Sequence, residues 1–183
     1  MKSQDIVLLL KLVSLHNQEN ATDSVVSASS YTVRGLADET GISKSEVSNS
    51  LNRCSRVGLV KAARKSNIPR TNVKALTEFI IYGLKYVFPA EIKEVSRGIP
   101  TSFAAPVLKS KIMSAGELIY VWPDAEGSKK GQIVIPLCKS VSLAVSKDQL
   151  LYEYLALVDA IRLGNPREVE VAVIELQKRM QTV

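Results

Sequence analysis

Apolar residues recur at helical spacing through most of this chain, with one strand-prone stretch in the middle. Residues 3–16 place Ile6, Leu9, Leu10 and Val13 on a helical stripe, which predicts an amphipathic first helix. Residues 17–30 are rich in Asn and Ser and predict a loop, long for a helix connection. Thr32 is placed to cap a short helix over 33–40. A second helix is predicted over 43–57, where Val47, Leu51 and Cys54 recur at i, i+4 and i+7 and bury one face. Gly41 stands in the turn between the two, where a positive φ is needed, and Ile42 points from that turn into the core. Ser43 and Glu46 form an S-x-x-E capping box, and Gly58 supplies a C-terminal glycine cap. Leu59 and Val60 open an extended segment. It leads into a basic, polar loop that reaches Arg70, with no second strand legible. Leu76, Phe79, Ile80, Leu84 and Val87 predict one more helix over 72–87, stopped by Pro89.

The rest of the chain divides at about residue 146. Residues 118–122 and 132–137 are β-prone, and the Gly- and Lys-containing stretch 123–131 reads as the loop of a hairpin joining them. Trp122 is expected in the core. Arg97, Gly98, Pro100 and Thr101 suit either a structural turn or a small anion pocket. The turn is the preferred reading because no glycine-rich phosphate motif accompanies them. From residue 146 the pattern is helical. A capping box is expected over 146–149, followed by a helix that Gly164 ends, with Asp148, Glu153 and Asp159 as solvated charges. Asn165, Pro166 and Glu168 then start a last helix. This hairpin has more apolar surface than one of its own faces can hide. It must pack on its own domain or on another chain.

The polar face of helix 43–57 carries the functional argument. Ser45, Asn49, Asn52 and Arg56 lie opposite the buried stripe, flanked by Lys44, Ser48 and Arg53. The one acid of the helix, Glu46, is assigned to the cap, so the outward face has no carboxylate. Asn pairs bidentately with adenine and Arg with guanine, while Ser and Lys reach phosphates. Helix, glycine turn, capped second helix and strand follow in the order of a helix-turn-helix DNA reader. Ser43, Lys44, Ser45, Ser48, Asn49, Asn52, Arg53 and Arg56 are therefore candidate DNA contacts, with Asn49, Asn52, Arg53 and Arg56 on bases or nearby phosphates and Lys44 and Ser45 positioning the backbone. Arg64, Lys65 and Arg70, in the loop after the strand, are the candidate contacts to the flanking backbone.

Charge agrees. The 183 residues carry a formal net charge of +6, unevenly spread. Residues 34–111 hold 14 Lys/Arg against 6 Asp/Glu, a net of +8, and the remainder holds 10 against 12, a net of −2. Basic charge thus gathers around the motif, as a polyanionic partner requires. The two cysteines, Cys54 and Cys138, suggest neither a disulfide framework nor a metal cluster, and Cys54 falls on a buried face. The apolar run over 6–15 is short and broken by Lys11, so neither a membrane span nor a leader is expected, and a cytoplasmic protein is. The single histidine, His16, reads as a surface or capping residue. No zinc-protease, C-x-x-C or P-loop motif is present. No catalytic residue, cofactor or metal site is predicted.

The motif residues Leu36-Ala37, Gly41-Ile42-Ser43-Lys44-Ser45, Val47, Leu51 and Gly58-Leu59-Val60 resemble the winged helix-turn-helix regulators, particularly those of the MarR type. The resemblance covers roughly residues 30–65. It implies a recognition helix over 43–57, a wing after Val60, and a homodimer on a palindromic site. The expected fold is α+β, mainly α. It comprises a winged helix-turn-helix DNA-binding domain (1–89), an extended and β-hairpin region (90–145) and a C-terminal helical hairpin (146–183) for dimerisation or partner binding. The expected function is sequence-specific binding of double-stranded DNA by a homodimeric transcriptional regulator, acting as a repressor. The competing reading is a protein-interaction module, antitoxin-like or serving a defence operon, in which the same scaffold holds an operon-encoded partner.

Overall fold

A computed structural model describes residues 1–21, 27–63, 67–109, 111 and 118–180 of the chain. Its first helix, α1 (Ser3–Ala21), is not amphipathic, because every residue from 5 to 15 is buried. Val7, Leu8, Leu12 and Leu15 fill the faces that the stripe of Ile6, Leu9, Leu10 and Val13 leaves open, and a helix apolar all round belongs inside. Its few polar groups are paired. Lys11 Nζ donates to Asp148 (2.8 Å) and Glu39 (3.2 Å), and the Ser14 hydroxyl donates to Asp148 (2.7 Å). The helix also outruns the expected loop. The Asn17 amide donates to the Tyr154 hydroxyl (2.6 Å) and the Arg179 carbonyl (3.2 Å), tying the last turns to the C-terminal helices.

Two short helices follow, α2 (Val33–Thr40) and α3 (Lys44–Arg56). Their bounds are those the capping residues predict. Thr32 Oγ1 accepts from the Gly35 amide (3.0 Å), and Gly41 takes the left-handed conformation at φ 69°. Gly58 does the same at φ 75° and closes α3. The Leu59 amide bonds back to the Cys54 carbonyl (2.9 Å) and the Gly58 amide to that of Ser55 (3.1 Å), the Schellman arrangement. The extended segment then pairs with a second strand that the sequence did not reveal. β1 (Val60–Ala62) and β2 (Pro69–Thr71) are antiparallel, with Lys61 opposite Arg70. The expected single helix over 72–87 is interrupted at Gly83, a poor helix former, giving α4 (Val73–Tyr82) and α5 (Leu84–Val87).

In the second half, the expected hairpin is corrected. β3 (Ile92–Pro100) is antiparallel to both β4 (Tyr120–Pro123) and β5 (Lys129–Val134), while β4 and β5 run parallel to each other. β4 follows β3 from Pro100 to Gly98 along one edge. The chain then crosses over, and β5 takes up the other edge from Gly98 to Ile92, closing a three-stranded barrel. The crossing is tight: a Cβ on Gly127 would lie 2.3 Å from the Gly98 carbonyl carbon. Between β3 and β4 stands a short helix, α6 (Pro106–Lys109).

Helix α7 (Val141–Lys147) was not foreseen. The box expected over 146–149 is replaced by Asp148, whose Oδ1 accepts from the Leu151 amide (3.0 Å) to start α8 (Gln149–Leu163). Asn165 and Glu168 form their capping box reciprocally at the start of α9 (Pro166–Met180). Asn165 Oδ1 accepts from the Glu168 amide, and Glu168 accepts from that of Asn165, both at 3.1 Å. α8 is buried from Tyr154 through Ile161 and packs on α1 and α9. The hairpin's apolar surface is thus largely covered within the chain. The stretches 1–89, 90–145 and 146–183 share one continuous apolar core that runs from Ile6 to Met180. The protein is α+β and mainly helical.

Candidate nucleic-acid interface

Helix α3 is held by a polar anchor beneath it. Ser50 lies on the face that also buries Val47 and Cys54, and its hydroxyl donates to Asp5 Oδ1 (2.7 Å). Arg53 forks onto the same carboxylate, Nε to Oδ2 at 3.0 Å and Nη2 to Oδ1 at 2.6 Å. The Lys2 amide supplies a fourth bond at 2.8 Å. Asp5 is fully buried. Burial works to raise its pKa, but the bonds from Arg53, the Lys2 amide and Ser50 outweigh that and hold the carboxyl below its ordinary range. This charged, four-bonded group fastens the start of α1 to the middle of α3. Cys54, beside it, behaves as a small apolar residue, and burial pushes its thiol up to about 11.

Arg53 is therefore corrected from groove contact to anchor, since its guanidinium is turned inward onto Asp5. Sequence spacing placed it at the margin of the polar face but carried no sign of a buried acid 48 residues away. Glu46 is also handled differently than expected. Its amide donates to Ser43 Oγ at 3.4 Å, so half of the capping box forms. Its carboxylate instead accepts from Lys2 Nζ (3.0 Å) and Gln4 Nε2 (2.6 Å). The Lys2 bond is the main reason its pKa falls below the ordinary range. The outcome for the surface is the one anticipated, because the chain's own cation occupies the helix's single acid.

The remaining candidates are brought together as expected. Ser43, Lys44, Ser45, Ser48, Asn49, Asn52 and Arg56 are all exposed on α3 and its N-cap. Lys44, Ser48, Asn49, Asn52 and Arg56 make no side-chain hydrogen bond or ion pair with other described residues. Ser45 and Ser43 share one bond at 3.2 Å. Ser55, also exposed, extends this face and was not singled out.

The two-stranded ribbon contributes differently. Arg70 is corrected as a backbone contact. Its Nη2 donates to Glu19 (2.7 Å), its Nη1 to the Tyr31 hydroxyl (3.1 Å), and the guanidinium stands 5.1 Å from the centre of the Tyr31 ring. It ties the ribbon to α1. Among the described residues of the ribbon, the exposed cation is Lys61, across from Arg70, which was not singled out from the sequence. Arg64 and Lys65 lie outside the described residues.

Other candidates are structural. Asp148 and Asp159 are buried, not solvated. Asp159 accepts from Trp122 Nε1 (2.7 Å), Thr101 Oγ1 (3.0 Å) and Arg162 Nη1 (2.7 Å). Burial raises its pKa against the pull of Arg162 and the two neutral donors. Trp122 is in the core, as expected, and Thr101 faces Asp159 and lines no anion pocket with Arg97. Among the described residues, no group of three or more His, Cys, Asp and Glu side chains is placed to hold a metal, and no helix is long and apolar enough to cross a membrane. Comparison with protein-family models, with curated proteins and with solved structures finds no match to this chain.

Proposed function

We propose that this protein binds double-stranded DNA sequence-specifically, as a homodimeric transcriptional repressor of the winged helix-turn-helix, MarR-like kind acting in the cytoplasm. One observation carries the reading. α3 presents Lys44, Ser45, Ser48, Asn49, Asn52 and Arg56 outward, with its only acid engaged by Lys2. A helix with its side chains is about 10–12 Å across and the major groove about 12 Å wide, so α3 enters with this face toward the base edges. Asn49, Asn52 and Arg56 read bases. Lys44, Ser45 and Ser48 hold phosphates, and Lys61 on the ribbon reaches the adjoining backbone. Arg53 is a positioning residue that keeps α3 at its angle.

The test is a binding titration against DNA upstream of the protein's own gene, at two salt concentrations, with unrelated duplex as competitor. Tight binding that survives the competitor is expected. Replacing Asn52 or Arg56 with alanine is expected to cost about 1–3 kcal/mol of discrimination at one base position. Binding that vanishes with salt and ignores sequence refutes the reading.

The dimer has a candidate surface of its own. On α4 and α5, Tyr82 is 72%, Tyr86 75% and Val87 55% exposed, an apolar face of the kind that marks a protein partner. Beside it, a groove between α4 and α9 is lined by Val73, Ile81, Tyr82 and Met180 and flanked by Lys74 and Glu78. Its two opposite charges suit a second copy related by a two-fold axis, where each finds its complement. The homodimer is the occupant this favours, and sedimentation decides it. A monomer that captures an operon-encoded protein supports the interaction module instead.

A further inference from the structure

A second cationic feature lies away from α3, on the three-stranded barrel. A cleft of about 710 Å³ opens where β3 and β5 meet the crossing after β4. Arg97 comes from β3, Lys129 and Lys130 from β5, Ser96 from β3, and Gly127 and Ser128 from the crossing. No acid lines it, although Glu94, Asp124 and Glu126 are close in sequence. Asp124 Oδ1 is engaged with the Glu126 amide (2.8 Å).

The three cations make no side-chain hydrogen bond or ion pair with other described residues. All three are exposed, whereas Lys93, on the same strand, pairs with Glu91 at 3.1 Å. Arg97 and Lys130 are also directly opposite in the strand register. Like charges directly opposite each other across a strand pair destabilise a sheet. The backbones of the neighbouring Gly98 and Gly127 approach closely beside them, so the strands themselves cannot move apart there without opening the crossing. An acid-free cleft bordered by Arg97, Lys129 and Lys130, with the guanidinium of Arg97 opposite Lys130, suits an anion rich in acceptor oxygens.

We propose that this cleft binds phosphate groups, held by Arg97, Lys129 and Lys130, either as the phosphate chain of a small phosphorylated molecule or as consecutive phosphates of a nucleic-acid backbone. The site is independent of the α3 reading, because β3, β4 and β5 have no extensive contact with α3.

The test titrates the full chain with sodium tripolyphosphate and, separately, with duplex from upstream of its own gene, by calorimetry. The variants are R97Q/K130Q for the cleft and K44A/R56A for α3. All four positions are exposed, so both variants should fold, and thermal melts check that they do. Tripolyphosphate is expected to bind the wild type and K44A/R56A alike, and at least tenfold more weakly to R97Q/K130Q. That result assigns the cleft to a small phosphorylated ligand. If tripolyphosphate fails to bind but R97Q/K130Q weakens duplex binding at least tenfold and flattens its salt dependence, the phosphates are those of nucleic acid. If R97Q/K130Q binds both ligands as the wild type does, or neither ligand binds the wild type, the proposal is overturned. If duplex binding is lost in K44A/R56A alone and R97Q/K130Q leaves tripolyphosphate binding unchanged, the cleft is overturned and the α3 reading stands.

Discussion

Replacing Asp5 with alanine tests the anchor under α3 without touching any exposed residue. The carboxylate accepts from Ser50 (2.7 Å), from Arg53 twice (3.0 and 2.6 Å) and from the Lys2 amide (2.8 Å), and it is fully buried. Removing one member of a buried ion pair costs about 3–5 kcal/mol, because the other charge stays behind uncompensated. Arg53 keeps 26% of its side chain exposed and has Glu46 within 3.7 Å, so part of its charge is recovered and the lower end applies. A loss of about 3 kcal/mol lowers Tm by roughly 6–12 °C in a chain of this length. Thermal and urea melts of Asp5→Ala, Arg53→Ala and the double variant measure it. The two single losses should not add, since each leaves the other partner stranded, and a coupling of roughly 1–3 kcal/mol is expected. Asp5 has its pKa lowered by folding, so the stability it contributes is present above the ordinary carboxylate range. That stability fades as pH falls through the lowered value. The difference between the wild type and Asp5→Asn should shrink in acid accordingly. Single losses below about 1 kcal/mol, or strict additivity, refute the anchor.

Gly41→Ala and Gly58→Ala share a left-handed φ, and that strain costs roughly 1–2 kcal/mol each. A Cβ at Gly58 meets nothing within 4 Å, whereas one at Gly41 lies 2.7 Å from Ser140 Cβ and 2.9 Å from Leu143 Cδ2. Gly41→Ala should therefore lose about 1–3 kcal/mol more in a melt, and equal losses contradict the packing of α7 on the turn. Trp122→Phe removes the indole donor to Asp159 and should cost about 1–3 kcal/mol in thermal unfolding. Asp159 has its pKa raised by burial, so its favourable contribution is present in acid and lost as pH rises through the folded value. The Trp122→Phe deficit should accordingly be larger at neutral pH than in mild acid. A deficit that does not change with pH would mean that Asp159 is not the group affected.

Local signals set α2, the turn and α3 to the residue. Thr32, Gly41, Ser43 and Gly58 each act through backbone groups within a few positions of themselves, and such bonds form whatever the rest of the chain does. The Asn165–Glu168 box was legible for the same reason. The exposed stripe of α3 followed from helical periodicity, which decides which side chains share a face. What periodicity leaves open is the partner each side chain finds. Arg53 and Arg70 looked like free cations until α1 supplied Asp5 and Glu19, 48 and 51 residues distant. Asp148 and Asp159 looked solvated until Lys11 and Trp122 met them inside. β4 and β5 looked like a hairpin because they are adjacent in sequence. They run parallel because both edges of β3 were open, and Gly98 and Gly127 let the chain cross between them. The sequence by itself determined where elements start, stop and turn their polar faces, since those depend on short-range sterics and backbone hydrogen bonds. Only the tertiary structure decided which charges stay free for a partner, since a buried charge settles against whichever opposite charge packing brings within about 3 Å.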